Sequence, residues 1–125
     1  MKRNLDLLRE ILLVVEEYEP ARVSMLQSIS PRDFSGTEGQ NFHHINMLVD
    51  ARYIKLAGEP TLAGDYAVHG MTMTGHDFLD AIKEQSVWDH TKKRVGEVGS
   101  WTLDIVLAVA KEEVKRRLGL ALNGA

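Results

Sequence analysis

The sequence predicts an α+β fold: a small domain of helices with one two-stranded β-hairpin, followed by a C-terminal helical extension. Three observations lead there. Apolar residues recur at three- and four-residue steps through Leu5, Leu8, Ile11, Leu12 and Val15, which is the period of a helix with one buried face. Two short alternating runs, 53–56 and 66–73, flank the turn-rich stretch 58–65, as the arms of a hairpin would. Threonine and serine capping signatures stand before the remaining apolar runs.

Each element follows from its residues. Asn4 is a suitable N-cap for a first helix over 4–19, whose other side carries Arg9, Glu10, Glu16 and Glu17, and Pro20 stops it. Residues 22–29 set Val23, Met25 and Gln27 against Ser24, Leu26 and Ser28; with no helical face, the segment reads as a short strand or extended stretch. Ser30-Pro31 suits the start of a helical turn, because proline tolerates the first helical position. Thr37 and Gln40 have the spacing of a capping box, so a helix begins there and runs to about Ala51. Phe42, Ile45, Leu48 and Val49 form its apolar stripe, leaving Gln40, His43, His44, Met47 and Asp50 on the other sides.

After the hairpin, Thr74 with Asp77 three residues on predicts a cap for a helix that buries Phe78, Leu79 and Ile82. A short helix over 89–95 carries Lys92, Lys93 and Arg94, and 96–99 reads as a flexible joint. Ser100 is expected to cap the last helix, which runs to about Leu118 and ends in Lys115-Arg116-Arg117, cations that suit the helix dipole. Residues 1–86 are expected to form the main domain, with 87–125 packed on it as the extension.

Composition limits the function. One hundred and twenty-five residues at 44% hydrophobic content suit one soluble unit. The longest apolar run, 11–15, is far too short to cross a bilayer, and Asp6, Arg9 and Glu10 interrupt what a signal peptide would need, so a cytoplasmic protein with no membrane partner is expected. The absence of cysteine excludes disulfides, thiolate zinc sites and cysteine nucleophiles. A net charge of −3 argues against broad nonspecific nucleic-acid binding, though a local basic patch is compatible with it.

The order helix, extended segment, turn, helix, hairpin, helix is that of a winged-helix domain, in which a helix beside a β-hairpin wing can contact a groove. "LVDARYIKL" followed by "MTMTGHDFLDAI" resembles the helix-to-wing and Leu-Thr-x-x-Gly segments of bacterial winged-helix regulators. Together with "MKRNLDLLREILL", "FHHINML", "TGHDFLDAIKEQSVWDHTK" and "GSWTLDIV", these stretches are similar to an uncharacterised bacterial and prophage-borne family known as a domain of unknown function. Arg52 departs from the winged-helix pattern, which commonly has glycine at that helix end. The resemblance implies fold and genetic context more than chemistry.

No residue pattern points to catalysis, and the protein is expected not to be an enzyme: it has no phosphate-binding glycine loop, no HExxH and no nucleophile elbow. The five histidines, at 43, 44, 69, 76 and 90, lack the i, i+4 spacing of a helical metal pair, so neither metal nor cofactor is expected. His76 with Asp77 and Asp80 reads as a helix start, the glutamates at 16, 17 and 19 as a solvated helix end, and Trp88 and Trp101 as core anchors.

Two functions from different classes remain. In the first, a regulator binds double-stranded DNA, with Gln40, Asn41, His43, His44 and Met47 on the reading helix, Arg52, Lys55 and His69 at the wing, and Arg32, Lys92, Lys93 and Arg94 on phosphates. In the second, the same scaffold engages a host protein. A continuous positive stripe along 40–47 and the wing would favour DNA; its absence would favour a protein. The last helix has apolar residues on more than one side, from Trp101, Leu103 and Ile105 to Val114 and Leu118, which predicts a homodimer through it.

Overall fold

A computed structural model describes residues 2–22 and 24–122. The elements in chain order are α1 (Leu5–Glu17), β1 (Gln27–Ile29), α2 (Glu38–Asp50), β2 (Ile54–Leu56), β3 (Tyr66–Met71), α3 (Met73–Ile82), α4 (Gln85–Val98) and α5 (Leu103–Leu122). The fold is α+β, with five helices and one antiparallel three-stranded sheet among the described residues. The chain comprises two compact units, Met1–Asp77 and Phe78–Ala125.

In the first unit, Asn4 caps α1 as its side chain predicts, accepting from the Leu7 N–H at 3.2 Å. The helix stops at Glu17, before Pro20 is reached, and buries Leu7, Leu8, Ile11, Leu12 and Val15. The expected strand over 22–29 shrinks to Gln27–Ile29, and Val23 lies outside the described residues. Ser30 and Pro31 start a tight turn and not a turn of helix: the Asp33 N–H bonds the Ser30 carbonyl at 2.9 Å, and the Asp33 carboxylate accepts from the Ser30 N–H at 2.8 Å. The Thr37–Gln40 capping box is present in both directions, at 3.1 and 3.0 Å.

The hairpin pairs antiparallel as predicted, over slightly shorter strands. The third strand was not evident in the sequence. β1 pairs antiparallel with the free side of β3, Ile29 opposite Tyr66 and Gln27 opposite Val68, giving the order β1-β3-β2. Lys55 stands opposite Gly70 while Leu56 stands opposite Val68, so His69 is the extra residue of a β-bulge. α1, α2 and the sheet enclose a core of Ile11, Leu12, Ile29, Ile45, Leu48, Tyr66 and Val68, none more than 2% exposed. Burying each such aliphatic side chain contributes about 1.5–3 kcal/mol.

The α2–β2 joint explains why Arg52 stands where glycine is common. The Tyr53 N–H bonds the Leu48 carbonyl at 2.9 Å and the Arg52 N–H bonds the Val49 carbonyl at 3.0 Å, which is a complete Schellman ending. That ending needs a left-handed residue, and Arg52 has φ 63°. A non-glycine residue there costs about 1–2 kcal/mol, partly offset by the extra chain entropy that glycine loses on folding. Arg52→Gly is therefore expected to stabilise the protein by about 0.5–1 kcal/mol. A urea melt should show a raised midpoint at unchanged slope.

α3 starts two residues earlier than its sequence suggests. The cap is Thr72, not Thr74: its hydroxyl accepts from the Gly75 N–H at 3.0 Å and donates to the Arg52 carbonyl at 2.6 Å. Asp77 is exposed and closes no capping box.

In the second unit, α4 is much longer than 89–95, because the Glu84 carboxylate caps it at the Val87 N–H, 2.8 Å away. Gly96 lies inside the helix, and only Gly99, at φ 82°, ends it. Thr102, not Ser100, caps α5, accepting from the Ile105 N–H at 3.2 Å. α4 and α5 pack on each other; Val87, Trp88 and Val95 of α4 and Val106 and Ala110 of α5 are buried, while Trp101 is half-buried. Among the described residues no helix is long and apolar enough to cross a membrane.

Candidate functional site

α2 is amphipathic in an unusual sense: its buried face is partly polar. Asn41 and His44 are 1% and 0% exposed, on the stripe completed by Ile45 and Leu48. The Asn41 amide nitrogen donates to the carbonyls of Pro31, Phe34 and Gly36 at 2.6, 3.1 and 3.0 Å, anchoring the loop before the helix. His44 accepts from the Asn4 N–H at its Nε2, 2.8 Å away, and its Nδ1 lies 2.7 Å from the Gln40 carbonyl. An N–H on one side and a carbonyl on the other assign the proton to Nδ1.

The residues expected to read DNA from α2 are placed differently from one another. Asn41 and His44 face the core, where their hydrogen bonds hold the fold. Gln40 is half-buried and its carbonyl oxygen is committed to the capping box. Met47 is half-buried, and only His43 of the five is exposed.

The surface that α2 does present is led by Phe42 and Asn46, one helical turn apart. Phe42 is 38% exposed, meeting His43 edge-on at 5.5 Å between ring centroids and Tyr66 at 6.3 Å. Asn46 accepts from the Tyr66 hydroxyl at 2.9 Å. Burial pushes the Tyr66 phenol upward from its ordinary value, against the smaller opposing effect of that bond.

Beside this face lies an open groove of ≈ 720 Å³ between α2 and the hairpin. One wall is Phe42, Asn46, Val49 and Asp50; the other is Ile54, Lys55 and Leu56, closed at the tip by Glu59 and Pro60. Arg52 and Lys55 are exposed on its rim, balanced by the carboxylates of Asp50 and Glu59. No lysine or arginine occurs between Arg32 and Arg52, so the exposed side of α2 adds no fixed positive charge. Arg32 is itself paired with Glu38 at 3.5 Å and Asp65 at 3.3 Å, tying the hairpin tip to the start of α2. His69 is exposed at the bulge.

The remaining cations lie on α4, in the other unit. Lys92 sits over the Trp88 ring at 5.6 Å, Arg94 is 4.0 Å from Glu97, and Lys93 is exposed. The same unit holds a charged cluster around a buried carboxylate. The Glu113 side chain, 3% exposed, contacts Arg116 at 2.5 Å, Arg117 at 3.0 Å and His90 at 3.1 Å. The i, i+3 and i, i+4 spacings of Glu113 to Arg116 and Arg117 were the available signal. A cleft of ≈ 630 Å³ opens beside it, lined also by Arg94 and Lys115.

Hydrogen bonds from Arg116 and then Arg117 hold the Glu113 carboxyl down from 4.5 to about 2. A depressed carboxylate contributes stability above its unfolded value and loses it as pH falls through its folded value. Acid unfolding is therefore expected to steepen between pH 4.5 and 2, and Glu113→Gln should flatten that limb while lowering stability at neutral pH. Some slope will persist in the variant, because the bonds from the Val87 and Ser86 amides also lower Glu84. Circular dichroism across that pH range, wild type against variant, measures both.

Among the described residues no group of three or more histidines, cysteines or carboxylates is placed to hold a metal. The family described as "Hypothetical protein (DUF2513)" matches residues 2–101. An uncharacterized protein of Haemophilus influenzae is 32% identical over 114 residues, 90% of this chain and 91% of the relative. No solved structure matches significantly.

Proposed function

The chain belongs to this DUF2513 family, and from that premise and the geometry of the groove we propose that its first unit is a winged-helix-like scaffold serving as a non-enzymatic protein-interaction module. The α2–hairpin groove takes an extended segment of a partner protein. The helix, strand, helix, hairpin order with the sheet order β1-β3-β2 supports the scaffold. The observation that carries the choice of partner is the missing positive stripe: α2 exposes an aromatic ring and an amide, and the rim charges cancel. A duplex needs cations along the reading helix to replace its counterions. An apolar-floored groove with both signs at its rim suits a peptide that buries one large apolar side chain between charged neighbours.

A second reading, DNA binding, draws on Arg52, Lys55 and His69 at or beside the hairpin, with His43 exposed on α2. Selection from a displayed peptide library and anisotropy with a mixed-sequence duplex separate the two. The protein reading expects selected peptides with a large apolar anchor, bound by wild type and lost in Phe42→Glu, and no duplex binding below about 10 μM at low salt. Duplex binding tighter than that, weakened by Arg52→Ala with Lys55→Ala, would replace it with the DNA reading.

A further inference from the structure

Within the second unit, one surface combines exposed apolar groups with opposed charges. Two adjoining hollows share Asp80 and Val114 and together make a groove between the end of α3, the start of α4 and one side of α5. Its floor is Ala81, Val87, Val114 and Leu118, of which Leu118 is 56% exposed. Lys111, Val114, Lys115 and Leu118 fall at i, i+3, i+4 and i+7 on α5, so two lysines and two apolar side chains share one stripe. The facing wall carries Asp80 and Glu84, and Glu84 is already paired with Arg117 of the same hollow at 3.2 Å, so Asp80 supplies that wall's unpaired negative charge. Among the described residues Asp80, Lys111 and Lys115 enter no ion pair, and all three are exposed.

A groove with an acidic wall, a basic wall and an apolar floor complements itself after a two-fold rotation. The rotation places each copy's lysines against the other's Asp80 and buries Leu118 against the opposing floor. An isologous contact has this reciprocal character, and it needs only one patch per chain. We propose that the protein forms a two-fold homodimer through this groove, with the Lys111–Leu118 side of α5 from each copy seated in the other. The occupant is a second copy of this chain because the patch carries an unpaired carboxylate, Asp80, and unpaired ammonium groups, Lys111 and Lys115, on either side of one apolar floor. The interface lies in the second unit, so it stands or falls independently of the peptide groove of the first.

Sedimentation equilibrium of the full chain tests it. Wild type is expected to sediment at twice the 14.0 kDa chain mass at tens of micromolar. Leu118→Glu alters an exposed side chain, and should weaken association on the order of tenfold or more without loss of helix signal. Asp80→Lys reverses the unpaired charge of one wall, and Lys111→Glu with Lys115→Glu reverses that of the other, while the Glu84–Arg117 pair stays neutral in both; each protein alone should sediment as a monomer. Mixed one to one, the two should form a heterodimer, because every wall again meets its opposite. A wild-type monomer at roughly 100 μM overturns the proposal. A dimer indifferent to Leu118→Glu, or charge variants that fail to pair when mixed, overturns it equally.

Discussion

His44→Ala is expected to destabilise the protein by about 3 kcal/mol, combining the cavity left by a fully buried ring with the loss of two part-buried hydrogen bonds. The Asn4 N–H, which starts α1, loses its acceptor, so the damage spreads to a helix forty residues away in sequence. Asn41→Ala should cost a comparable amount, since three loop carbonyls lose their donor. His43→Ala, at the neighbouring exposed position, should stay within about 0.5 kcal/mol. Urea midpoints of the three variants check this. If His43 and His44 proved equally tolerant, the buried placement of His44 would be wrong.

Gly75→Ala is expected to be as severe for a different reason. A Cβ at Gly75 would run into the carbonyl of Tyr53, a backbone group that cannot rotate away. That carbonyl also accepts from the Thr72 N–H at 3.0 Å, so moving it breaks the junction of β2 with α3. Forced overpacking of this kind costs about 1–3 kcal/mol, and more where the obstacle is backbone. At about 3 kcal/mol, and about 4 °C per kcal/mol for a chain of 125 residues, a thermal melt should fall by about 10 °C. Gly39→Ala, where a Cβ meets nothing, is the control that should leave the melt nearly unchanged.

These two sites also mark how far the sequence could be read. The Asn4 cap, the Thr37–Gln40 box and the antiparallel hairpin were all legible, because each depends on a local pattern of a few residues. The third strand was not: three residues, Gln27–Ile29, are too few for an alternation to show, and their pairing with β3 is a long-range choice. Helix starts slipped where two candidate caps lay close together, as with Thr72 and Thr74 or Ser100 and Thr102. The site suffered most. Hydropathy placed Phe42 inside and His44 outside, since it ranks side chains by transfer cost and cannot see that the Asn4 amide and Gln40 carbonyl satisfy the imidazole. Phe42 and Asn46 thus entered the candidate groove only with the structure. Glu113 was hidden likewise, as a carboxylate is read as surface until its arginines are placed around it.

The sheet's outline bears on how the chain behaves when crowded. Its one long strand, β3, is central, and each edge is a strand of only three residues, β1 and β2. Edges so short offer a visiting chain few unpaired amides and carbonyls in register, and the exposed charge of Lys55 makes the hairpin side poorer still. The bulge at His69 breaks the regular ladder between β2 and β3, which denies an added strand a flat template to copy. Refolding at high protein concentration should therefore return native protein with little fibrillar or amorphous by-product, since both sheet edges among the described residues are too short for sheet growth to begin on them.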